Sequence, residues 1–105
     1  MPQFALYRNR NPATRSRFPL LLDVQSDLLE ALASRVVIPL AAVSGARSRS
    51  METLTPTLRF EGKEYVMLTP QLAGVATRDL GPVVGDLKSE RDTLIAAIDL
   101  LITGI

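Results

Sequence analysis

Apolar and polar residues alternate from Gln3 to Arg8, and the two-residue spacing of Phe4 and Leu6 predicts a strand that turns both side chains inward. Asn9 to Arg17 keeps no period, because Asn, Pro, Thr and Ser interrupt it, and reads as a loop. The apolar run Phe18-Pro-Leu-Leu-Leu-Asp-Val24 carries a proline at position 19, which places it at an edge or a strand start. Gln25 to Leu32 predicts one helical turn capped by Ser26 or Asp27. Arg35 to Leu40 is rich in β-branched residues and predicts a strand, bent or ended by Pro39.

Ala41 to Thr55 is rich in Ser, Arg and Ala without a period and reads as a loop. Thr57–Phe60 and Glu64–Thr69 flank Glu-Gly-Lys, which predicts a hairpin whose Gly62 supplies the positive φ of a tight reversal. Pro70 to Val75 predicts a turn, and Val75 to Leu80 a further short strand. Ser89-Glu-Arg-Asp92 resembles a capping box with Asp at its last position, so a helix is expected to start there. At about 100° per residue, Leu94, Ile95, Ile98, Leu101, Ile102 and Ile105 share roughly a third of the circle. Thr93, Ala96 and Leu100 fall outside that stripe, and Asp99 and Thr103 face away from it. The expected fold is mainly β: five or more short antiparallel strands with one C-terminal α-helix packed on them.

A chain of 105 residues is long enough for one cored domain, taken as residues 1–105, and too short for two. With no Trp and few aromatics, the core must come from Leu, Ile and Val. The absence of Cys excludes disulfides, thiolate nucleophiles and zinc–thiolate sites. The absence of His removes the commonest general base and transition-metal ligand. No Walker A or Gly-x-Gly-x-x-Gly spacing occurs, and no cofactor or metal is expected. Apolar stretches fall far short of a membrane span and no signal-peptide pattern is seen, so a cytoplasmic protein is expected.

Net charge is +1, but it is unevenly spread. Residues 1–50 hold seven Arg against Asp23, Asp27 and Glu30, while residues 51–105 hold five basic and eight acidic side chains. Such polarity suits an acidic partner for the first half better than general nucleic-acid binding.

Several segments, taken in order, resemble one family: Gln3-Phe4, Leu22-Asp-Val-Gln-Ser-Asp-Leu-Leu29, Val37-Ile-Pro-Leu-Ala41, Asp86-Leu87 and the final Gly104-Ile105. Over essentially its whole length the chain is similar to the CcdB toxins of CcdA–CcdB toxin–antitoxin modules. The resemblance implies an SH3-like antiparallel β-barrel of the CcdB/MazF type with a C-terminal helix, assembled as a homodimer. It implies a toxin that binds the A subunit of DNA gyrase, traps the cleaved-DNA complex and is neutralised by a CcdA-type antitoxin with a disordered tail. Operator DNA would then be contacted through the antitoxin, with no direct nucleic-acid binding or membrane association by the toxin and no enzymatic activity.

Read from pattern alone, Leu101, Ile102 and Ile105 are core residues, each contributing roughly 1.5–3 kcal/mol on burial. The resemblance instead makes the end of the helix a gyrase-contacting patch, carried here by Gly104 and Ile105. Thr103 stands where the family pattern has Trp, and Asp99 where it often has Asn. Leu28 and Leu29 occupy positions where the family places apolar residues, commonly Ile, beside that patch; a buried turn supported by Leu32 is the structural alternative. Arg8, Arg10, Arg15 and Arg17 form either a solvated loop or a surface that attracts an acidic antitoxin segment. Two other functions fit the fold class: a ribonuclease using Asp23 or Glu30 as base, or a relative that only holds antitoxin.

Overall fold

The computed structural model describes residues 2–43 and 53–104, so most of the expected 41–55 loop, and Ile105, lie outside the described residues. Seven strands form one antiparallel sheet: β1 (Ala5–Arg8), β2 (Leu20–Asp23), β3 (Ser34–Ala42), β4 (Thr57–Phe60), β5 (Lys63–Met67), β6 (Ala73–Ala76) and β7 (Val83–Asp86). Their order is β4-β5-β3-β2-β1-β7, with β6 also on β3, and the sheet curls into an open half-barrel. One helix, α1 (Arg91–Thr103), follows.

Strand alternation divides the buried residues between the two faces. Leu6, Leu20, Leu22, Ile38, Leu40, Tyr65 and Met67 join Phe4 and Leu58 inside the curl, where Leu94 and Ala97 of α1 complete the core. The odd-numbered neighbours Ala5, Tyr7 and Val37 gather on the opposite face with Leu80, flanked by Leu21 and Val75. β1 is therefore buried on both faces.

Pro39 does not end its strand, which runs on to Ala42. β3 pairs with β6 through Ser34–Val37 and with β5 through Leu40–Ala42, and Pro39 stands between the two. Its carbonyl accepts from Leu68 N–H at 3.0 Å, on the side away from β2. The missing N–H thus faces the gap where β3 changes partner, and little hydrogen bonding is lost. Pro19 likewise precedes β2 at its start, although β2 is a central strand.

The hairpin forms as expected, with Glu61 (φ 51) and Gly62 (φ 80) both in the left-handed region. Other boundaries differ. Ala41 and Ala42 belong to β3, and the segment expected as a strand at Val75–Leu80 is strand only through Ala76, β6 having begun at Ala73. The capping box does not form. The chain enters α1 through a tight turn at Lys88–Glu90, with Lys88 N–H donating to Asp86 Oδ1 at 3.0 Å and no side chain capping the helix itself.

Candidate functional site

The sequence Asp23-Val-Gln-Ser-Asp27 leaves β2 and builds a short 3₁₀ turn at Asp27–Leu29. Ser26 Oγ accepts from Leu28 N–H at 3.1 Å, capping the turn as expected. Asp27 Oδ1 accepts from Gln3 N–H at 2.7 Å. No residue of the turn is buried, so the buried-turn alternative is overturned: Leu28 is 94% exposed and Leu29 49%, with Leu32 also exposed.

Toward the end of α1, packing stops early. Leu94 and Ala97 are buried and Ile95 and Ile98 half-buried, whereas Leu101 is exposed and Ile102 is 68% exposed. Core status for Leu101 and Ile102 is therefore incorrect: the helix outruns the sheet that covers its earlier turns. Asp99, Thr103 and Gly104 are all exposed. Thr103 Oγ1 donates to the Asp99 carbonyl at 2.7 Å, and Gly104, at φ 77, closes the helix by donating to the carbonyls of Asp99 and Leu100.

Asp27 shares a small cleft with Gln3, Phe4, Lys88 and Arg91, which places the Leu28–Leu29 turn near the start of α1. The thirteen-residue helix carries its last turn roughly 18 Å further along the axis. Asp92, Ala96, Asp99 and Thr103 follow one another at three- and four-residue steps, all exposed, along the helix between the two ends.

The arginine-rich loop divides. Arg8, Arg10 and Arg15 line one cleft of about 270 Å³ with Asn9 and Pro19, and all three are exposed. Arg17 is turned to its neighbour instead, its guanidinium 5.1 Å from the Phe18 ring centroid. A larger groove of about 450 Å³ adjoins this cleft through Arg10, with Leu21 and Val75 also lining it and Arg78 and Asp79 beside them. Arg10 is anchored there by donating from Nη1 to the Leu80 carbonyl at 3.3 Å.

The model of the family described as CcdB protein matches residues 3–104. The chain belongs to the CcdB family. It is a toxin of the toxin–antitoxin type.

Within this CcdB chain, two charged residues are placed where composition gives no hint of them. Asp23 and Arg35 are both fully buried and form a two-pronged ion pair, Nε to Oδ2 at 2.7 Å and Nη2 to Oδ1 at 3.0 Å. Tyr7 Oη donates to Asp23 Oδ2 at 3.4 Å. Burial first, then the Asp23 carboxylate, pushes the Tyr7 phenol up to about 12, against the pull of Arg35. The hydrogen bond to Asp23 raises Arg35 further above its ordinary value. Asp23 is thus sealed from solvent and committed to Arg35, which removes it as the base of a ribonuclease. The sequence carried half of this signal, Asp23 standing in an apolar run; the β2–β3 register, with Asp23 opposite Val37, is what brings it onto the face of Arg35.

Among the described residues, no helix is long and apolar enough to cross a membrane.

Proposed function

We propose that this CcdB-family toxin binds the A subunit of DNA gyrase and traps the gyrase–cleaved DNA complex, using Leu28, Leu29, Asp99, Thr103, Gly104 and Ile105. It acts as a homodimer, catalyses no reaction of its own, and is neutralised by a CcdA-type antitoxin. The observation that carries this reading is the exposure of Leu28 and Ile102, large apolar side chains on elements whose backbones are well tied down. Singly exposed apolar residues need no explanation, but a set at both ends of one helix edge suits a protein surface. The two ends lie far apart in one protomer, and a two-fold dimer would offer a pair of each to a large partner.

The Arg8, Arg10 and Arg15 cleft suits the acidic segment of the antitoxin. Clustered guanidinium groups attract carboxylates at long range, and the apolar floor at Leu21 and Val75 gives such a segment something to bury.

The test is direct. Added to gyrase and supercoiled DNA, the purified protein is expected to accumulate linear, gyrase-linked DNA, and added to RNA it is expected to leave the RNA intact. Fragmented RNA with untouched gyrase would replace this reading with the ribonuclease one. Antitoxin binding with neither effect would leave an inactive relative.

A further inference from the structure

Leu28 is almost wholly exposed, yet the turn that carries it is held by side-chain bonds reaching into the buried interior. Gln25 makes most of them. Its side-chain Nε2 donates to the Leu29 carbonyl at 3.0 Å, and its Oε1 accepts from Val36 N–H of β3 at 3.1 Å. Its own N–H donates to Asp23 Oδ1 at 3.0 Å, and its carbonyl accepts from Arg35 Nη2 at 3.4 Å. One buried amide side chain therefore joins the end of an exposed turn to a central strand, and its backbone rests on the Asp23–Arg35 pair.

That pair is costly as pure stabilisation. Two charges are taken out of water, and Arg35 Nη1 is buried with no hydrogen-bond partner. Well-packed apolar residues often serve stability as well or better at such sites. What they would not supply is a fixed post for Gln25.

We propose that Gln25, seated on the buried Asp23–Arg35 pair, is the positioning residue of the Leu28–Leu29 surface and orders that turn before gyrase binds. The inference rests on the proposed role of Leu28 and Leu29 in gyrase binding. An ordered turn spares the complex the entropy of fixing it, so Gln25 strengthens binding without touching the partner.

The experiment uses full-length protein with four measurements on each variant: affinity for gyrase A, affinity for the antitoxin, thermal unfolding, and amide exchange at Leu28 and Leu29. Gln25→Met keeps the volume and removes both side-chain bonds. It is expected to weaken gyrase A binding about tenfold and to speed exchange at the turn by a similar factor, with antitoxin affinity unchanged. Combining it with Leu28→Ala and Leu29→Ala should add nothing further to the loss of gyrase binding, because the turn would no longer carry the contact. Should Gln25→Met fail to fold, Gln25→Glu keeps an acceptor for Val36 N–H and sets its second carboxylate oxygen against the Leu29 carbonyl in place of a donor, so the turn is released by repulsion and the same outcomes apply. Full gyrase affinity in the Leu28→Ala, Leu29→Ala variant would overturn the docking role itself. If that variant loses binding while Gln25→Met keeps it, positioning by Gln25 is wrong. Equal losses toward gyrase and antitoxin, or losses that simply add in the combined variant, would make Gln25 a general structural residue and overturn the proposal.

Discussion

The Phe60 ring at the end of β4 lies over Gly85 of β7, so the two outer strands of the open sheet meet through one aromatic side chain. A methyl group on Gly85 would stand 2.5 Å from Phe60 Cε1 and 2.6 Å from Cζ, far inside contact distance. Phe60 also packs against the main core, so its ring has limited room to retreat. Gly85→Ala is expected to cost about 1–3 kcal/mol in urea unfolding. Phe60→Leu made in that background should recover part of the loss. A double variant no more stable than Gly85→Ala alone would show that the ring is not the obstacle.

Alkaline pH should reveal the burial of the Tyr7 phenol and, after it, the Asp23 carboxylate beside it. The folded state holds the Tyr7 proton up to about 12, against an ordinary value of 10.0. A raised folded-state value means that the contribution is complete below about pH 10 and is lost as pH rises through 12, when the unfolded chain releases the proton more easily. Stability should fall by roughly 1–3 kcal/mol over that window from this group. Tyr7→Phe should flatten the fall, and identical slopes in the two proteins would refute the assignment.

The helix end separates binding from folding. Ile102→Asp is expected to change the melting temperature little, since Ile102 is largely exposed, and to weaken gyrase trapping. Ile105→Asp or removal of Gly104 and Ile105 should abolish trapping and spare antitoxin binding, because an unpaired charge buried in a complex costs several kcal/mol. Thr103→Trp should strengthen trapping by about threefold to thirtyfold, offering an aromatic face to a partner cation. Thr103 gives up only a bond to an exposed helix carbonyl in that exchange. A fall in melting temperature of core-mutation size in Ile102→Asp would return the helix end to a packing role.

Antitoxin association should slow as salt rises, because exposed charges are screened beyond about 10 Å at 0.1 M. Arg8→Ala, Arg10→Ala and Arg15→Ala should each lower the association rate and flatten its salt dependence. Arg17→Ala should do so least, since Arg17 is engaged with Phe18 outside the shared cleft. Stopped-flow rates indifferent to salt in the parent protein would leave the cleft as solvated loop.

Where local chemistry decides structure, the sequence was readable. Gly62 fixes the hairpin, Ser26 caps its turn, and alternation turns Leu6 inward; Phe4, expected in the same strand, instead precedes β1 in a turn at φ 69 and reaches the core from there. β6 was misplaced because Ala-Gly-Val-Ala has no period of its own and becomes a strand only by pairing with β3. β7 carries a glycine at position 85 and skips Val84 in its register, and it is made by its pairing with β1. The helix pattern told which side chains share a face but not where the sheet beneath them ends. Ala97 is thus core while Leu101 is not. The proposed contact positions at 28, 29, 99, 103, 104 and 105 came from likeness to a family. Gln25 and Arg35 needed the three-dimensional arrangement, since their partners lie across strands.

Pro39 has a bearing on how the chain avoids mispairing. With its ring nitrogen facing the gap between β6 and β5, it suits only alignments of β3 that keep that edge turned from β2. A slide of one residue against β2 would aim the nitrogen at a neighbour carbonyl that needs a donor, and would also turn the apolar core face outward. The proline therefore penalises the nearest wrong register of the longest strand more than it supports the right one.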